Sequence, residues 1–170
     1  MDFLLETETF FRKEGFDLHL EKSSDEFPFG CLLVNLGEDK QERERMLVIT
    51  SEEQVLDDSK EARFIRVQLQ FSLPFQFQLD ARGELYSLLF FLNRSLDLPG
   101  FEVDELNDRV VFSYVWFGKN EPMDEMLLWG IFGQILMIAD GYSDVIEDVA
   151  TGKKTFVNVL EEIHELLPQA

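Results

Sequence analysis

Cysteine and histidine are nearly missing from this chain: Cys31 stands alone, and His19 and His164 are the only imidazoles among 170 residues. One thiol cannot close an internal disulfide, and three such ligands cannot complete the tetrahedral set of a structural zinc site. Positive charge is also scarce, with 15 Lys and Arg against 34 Asp and Glu, a formal net charge of −19. Nucleic-acid phosphates and anionic lipid repel such a polyanion, so neither nucleic acid nor membrane is an expected partner. No GxGxxG or Walker pattern occurs, and Gly130 and Gly133 fall inside a helical stretch rather than a phosphate loop. The N-terminal stretch through Lys13 carries acids at 2, 6 and 8 and lacks the basic head and apolar run of a targeting signal. The longest apolar block, Met126–Ala139, contains Gln134, and its 14 residues fall short of the roughly 20 that span a bilayer. The expected location is the cytoplasm.

What the chain does have is apolar mass. Apolar residues make up 45% and charged residues 29%, enough to bury a core within one domain over 1–170. Residues 151–170 form its C-terminal helical extension. A helix is predicted over Asp2–Glu14, with Phe3, Leu4, Phe10 and Phe11 on one side and Gly15 as the stop. Residues 16–28 are mixed, with a loop at 23–26. Cys31–Leu36 and Met46–Thr50 read as a hairpin around the charged stretch 37–45, followed by a polar connection at 52–61.

The clearest pattern lies in Phe64–Asp80, where every odd position from Ile65 to Leu79 is apolar and every even one from Arg66 to Asp80 is not. A period of two means a strand with one face buried and one wet, hence an antiparallel sheet. The run is long for a single strand, and Pro74 has no N–H for the ladder, so a bend, a bulge or an edge position is expected there. Asp80 is then placed to cap a helix over Ala81–Leu96. Phe101–Val103 and Val110–Phe117 form a second hairpin, and a helix opens near Pro122 and runs from Met123 to about Val149, with a break at Gly141. Thr155–Leu167 adds the last helix. The expected fold is α+β, a single antiparallel sheet of about five strands packed by helices in the order α-β-β-β-α-β-β-α plus a C-terminal helix.

No residue set points to catalysis, a metal or a cofactor. Asp140, Asp144 and Asp148 repeat every four residues, which is helical spacing rather than that of a calcium loop, and read as a solvated face. Cys31 sits in an apolar strand with no neighbouring base and reads as an inert thiol. The helix around Met126–Ile138 is apolar on every side and must be covered on every side, by other helices of the chain or by a second subunit. For the second case Leu128, Ile131, Ile135 and Ile138 are the candidate dimer contacts. The chain also holds 17 phenylalanines. Most must be core, and Phe71, Phe75 and Phe77 are the candidates for contact with a partner protein.

The stretch Leu92-Asn93-Arg94-Ser95-Leu96-Asp97-Leu98-Pro99-Gly100-Phe101-Glu102-Val103-Asp104, with Arg109-Val110-Val111-Phe112 after it, resembles the middle of the YbjN-type family of the type III secretion chaperone-like group. The shared features are a helix ending in Leu-Asn, a Leu-Pro-Gly turn, a short strand, an acidic tight turn, and then a strand and a long helix. The likeness covers roughly 64–149; the loop at 37–45, the connection at 52–61 and the helix at 155–167 have no counterpart in it. The resemblance implies the same element order, a homodimer, no enzymatic activity, and binding of an extended segment of a secreted or regulatory client protein. It transfers no binding residue to a particular position. The alternatives are a regulatory or sensory domain of the same family without a secretion client, and a carboxylate- or metal-dependent enzyme.

Overall fold

The computed structural model describes residues 3–23, 30–57, 62–97, 99–119 and 124–166. Helix α1 (Phe3–Lys13) leads into strands β1 (Leu18–Glu21), β2 (Cys31–Glu38), β3 (Glu44–Asp57) and β4 (Ala62–Gln76). After a 3-10 turn at Leu79–Ala81 come α2 (Arg82–Asn93), β5 (Phe101–Asp104), β6 (Arg109–Lys119), α3 (Glu125–Ala150) and α4 (Phe156–Leu166). The strands form one antiparallel sheet in the order β1-β2-β3-β4-β6-β5, so the fold is α+β as expected.

The alternating segment is the centre of the sheet. β4 pairs along its length with β3 on one side and with β6 on the other, and its odd residues Val67, Leu69, Phe71 and Leu73 are fully buried. It remains one strand of 15 residues. The expected irregularity is a register shift against β6 between Ser72 and Gln76, which brackets the donorless Pro74. All helices with core contacts lie over the odd face of β4, and one hydrophobic core forms between them and the sheet.

Four details differ from the expectation. The sheet has six strands because Leu18–Glu21, too short to show a period, adds β1 along β2. The polar stretch from Ser51 to Asp57 is strand, since pairing with β4 satisfies its backbone whatever its side chains. Asp80 does not cap α2; it lies within the 3-10 turn, and the N-cap is Ala81. Helix α3 passes through Gly141 unbroken and starts at Asp124, whose carboxylate accepts the Leu127 N–H at 3.0 Å. The proposed loop at 23–26 and the helix start at Asn120–Pro122 fall largely or wholly outside the described residues.

Local chemistry fixes the ends. Gly15, at φ +87°, closes α1: its N–H bonds Arg12 C=O at 3.1 Å and the Phe16 N–H bonds Phe11 C=O at 3.0 Å. That turn delivers Phe16 onto Phe11, with ring centroids 5.5 Å apart. The Leu-Asn and Pro-Gly pieces of the resemblance prove to be one device. The Asn93 side chain pairs with the Phe101 backbone as a strand would, donating to its C=O at 2.9 Å and accepting its N–H at 2.8 Å. A Cβ on Gly100 would overlap that same amide, so only glycine leaves room for it. Asn93→Ala and Gly100→Ala should each destabilise the chain by about 1–3 kcal/mol, and the double variant by no more than the worse single one. Urea unfolding of the three variants checks this; additive losses would separate the two roles.

Candidate protein-binding surfaces

Helix α3 lies between α1 and α2. Phe10, Phe11 and Phe16 meet Trp129 and Phe132 at centroid distances of 5.0–6.2 Å, mostly edge to face. On its other flank α3 packs on α2, and α4 leans on α2 through Phe156 against Phe91 at 5.9 Å. Leu128, Ile131 and Ile135 are therefore buried within the chain, and Ile138 is half-buried against the same core. These four, the candidate dimer contacts, serve the chain's own packing. Phe71, Phe75 and Phe77 are likewise 1%, 8% and 5% exposed, so a partner cannot reach them in this arrangement. Apolar periodicity marks what must be buried without saying whose surface buries it.

What remains outside α3 is a different line of side chains. Met126 and Met137 are 85% and 68% exposed, and Leu127 and Trp129 are also exposed. Between them Gly130 and Gly133, with Gly141 beyond, meet nothing within 4 Å of where a Cβ would stand. Acids mark both ends of this ridge, Asp124 and Glu125 before it and Asp140 and Asp144 after. Among the described residues α3 is the one helix long and apolar enough to cross a membrane by length and composition, because the helix extends beyond the 14-residue apolar block.

The second surface is the even face of the sheet, over which none of the described helices packs its buried residues. Register aligns Cys31, Thr50, Gln68 and Val115 in one row across β2, β3, β4 and β6. The next row is Leu33, Val48, Gln70 and Ser113; beyond it Asn35 pairs with Met46 on β2 and β3, and Ser72 with Val111 on β4 and β6. These rows hold no charged side chain. Gln68 donates to the Ser113 hydroxyl at 3.3 Å, tying β4 to β6 across the face. Cys31 belongs here, its thiol pushed above the usual range by burial and by the neighbouring Glu21 carboxylate, which suits an unreactive side chain.

The charged loop between β2 and β3 folds over toward α3. Asp39 accepts the N–H groups of Gln41 at 2.8 Å and Arg43 at 3.0 Å, which shapes the turn and aims Arg43 inward. Arg43 meets the buried Glu147 of α3 with two parallel bonds of 2.8 and 2.9 Å, and its guanidinium stands 5.7 Å from the Phe75 ring centre. Around this pair lie Lys40 with Asp144 at 2.8 Å and Arg45 with Asp140 at 2.5 Å. Asp148 reaches Lys153 and Lys154 at 3.6 Å. The acidic stripe of α3 is thus solvent-facing but cross-linked, Asp140 and Asp144 to basic residues remote in sequence and Asp148 to the lysines just beyond the helix. Glu147, absent from the sequence reading, is its buried anchor; an acid at a core-facing helix position was the one available signal. The cleft beside the loop, about 300 Å³, is lined by these paired charges. Among the described residues no group of three or more His, Cys, Asp or Glu is placed to hold a metal ion. No protein-family model matches the chain, and no curated protein matches it.

The buried pair and the exposed one should differ in worth. Glu147→Ala should cost about 3 kcal/mol in denaturant unfolding, because it leaves the part-buried Arg43 guanidinium short of a partner, and Lys40→Ala, whose side chain stands in solvent, should cause no measurable loss. Equal losses would overturn this ranking. Burial opposes ionisation of Asp39, yet the bonds from the Arg43 side chain and from two backbone N–H groups prevail and hold its pKa at about 2, below the ordinary 3.8. A lowered folded pKa stabilises above the unfolded value, and that contribution disappears as pH falls from about 4 toward 2. Wild type should therefore exceed Asp39→Asn in stability at pH 6, with the gap closing by pH 2 in a pH series of unfolding curves.

Proposed function

We propose that this protein is a non-catalytic protein-binding module, similar in role to the secretion chaperones, that works as a homodimer and holds a segment of another polypeptide. The observation carrying this reading is the outer ridge of α3. A core helix ordinarily hides its apolar residues, whereas here two methionines, a leucine and a tryptophan stay in water along one side of a helix otherwise packed into the fold. Methionine adapts its shape to different partners, and the glycines between let a partner backbone come close. Asp124 and Glu125 at the start of the ridge favour a client segment carrying basic residues beside its apolar ones, and the net charge of −19 keeps so adhesive a surface soluble. The same charge disfavours nucleic acid and anionic lipid as partners and fits a cytoplasmic setting.

Affinity capture with the intact chain from native lysate tests the proposal. One partner is expected in stoichiometric amount, and Met126→Asp or Met137→Asp should weaken its binding at least about tenfold while leaving the circular dichroism spectrum unchanged. Capture of nothing but the chain itself, or equal capture by the aspartate variants, would count against the reading.

A further inference from the structure

We infer that the open, even face of the sheet is where a second copy of this chain docks, sheet against sheet, about a twofold axis running along the strands between β3 and β4. This deepens the homodimer reading, on which it rests, by assigning its contact surface.

Three observations converge. The first is composition: two successive rows across the four inner strands, and the pairs beyond them, carry no charge in a chain of which 29% is charged. Depletion of charge at the centre, with apolar Leu33, Val48 and Met46 among small amides and hydroxyls and charges at the margin, is the anatomy of an interface core and rim. At about 4.8 Å between strands and about 6.8 Å between rows the uncharged centre covers about 400 Å². The charged rows beyond it and the outer strands bring the face to the roughly 800 Å² that each partner gives to a standard interface.

The second is the sorting of charge on that face. The β1–β3 half carries Glu21, Glu44 and Glu52 and no Lys or Arg; β4 and β6 carry Arg66, Arg109 and Lys119 and no acid. The edge strand β5 adds Glu102 and Asp104, the latter bonded into its own turn through Asn107. In a molecule with more than twice as many acids as bases, a basic half is unusual, and its position beside an acidic half makes the face complementary to itself.

The third is symmetry. Three strands lie on each side of the β3–β4 boundary. Rotation about an axis along that boundary lays β3 over β4, β2 over β6 and β1 over β5, at the same level along the strands. Glu52 and Arg66 are register partners, so each Glu52 then faces Arg66 of the partner subunit. Arg66 donates within its own chain to the Gln68 side chain, at 2.9 Å. Every contact occurs twice, as an isologous pairing requires. The α3 ridge lacks this property: antiparallel self-pairing there would bring acids at one end onto acids at the other.

Sedimentation equilibrium and light scattering on the full chain test the inference. Wild type should be a dimer that weakens as NaCl rises from 50 to 500 mM. Glu52→Arg and Arg66→Glu should each weaken it about tenfold or more by opposing like charges, and the double reversal should restore it. Near-UV circular dichroism checks that each variant is folded, and Glu52→Gln with Arg66→Gln gives the loss without any clash should a reversal fail to fold. A dimer indifferent to all of these overturns the assigned face and leaves the homodimer reading standing. A wild-type monomer at every concentration, including one whose sheet face takes up a different polypeptide, overturns both.

Discussion

Everything in this structure hangs on the pairing of β4 with β3 and β6. Those two ladders hold the odd side chains of β4 in a single plane, and that plane is the floor on which the helices rest. Antiparallel sheets are free to leave one face in water, and this one does. The asymmetry divides the molecule into a helical side, where packing is dense and aromatic, and a sheet side over which none of the described helices packs its core residues.

On the helical side α3 is held in two different ways along its length. Its first half is gripped by rings, with Trp129 and Phe132 among Phe10, Phe11 and Phe16. Its second half buries Ala139, Ile146, Val149 and Ala150 in the core and adds charged contacts, through Arg43 on Glu147 and the looser pairs around it. Ring packing is indifferent to salt and pH, whereas the charged contact depends on the Asp39 carboxylate that aims Arg43. The long helix thus shares one apolar core along its length, with α1 rings added at one end and the β2–β3 loop charges at the other.

The fold was largely legible in the chain because its governing signals are local and periodic. The alternation from Ile65 to Leu79, the leucine spacing of α2 and the turn at Gly100 each follow from neighbours in sequence. The extra strand β1 escaped because four residues carry too little pattern, and the polar end of β3 escaped because its backbone, not its side chains, makes it a strand. The surfaces were far less legible. Ile131 and Met137 look alike in sequence, and only the direction in which α3 is rolled decides that one is core and the other surface. Glu147 and Arg43 lie 104 positions apart, so their pairing is a product of the fold that no spacing rule reaches.

The glycines of α3 carry a consequence for the economy of the fold. Gly130, Gly133 and Gly141 have space where a methyl group would fit, and no described residue stands within 4 Å of it. In a helix interior each forgoes about 1 kcal/mol relative to alanine. The helix is therefore less stable than alanines at these positions would make it, and a smooth, unadorned strip of main chain is kept on the outside at that cost.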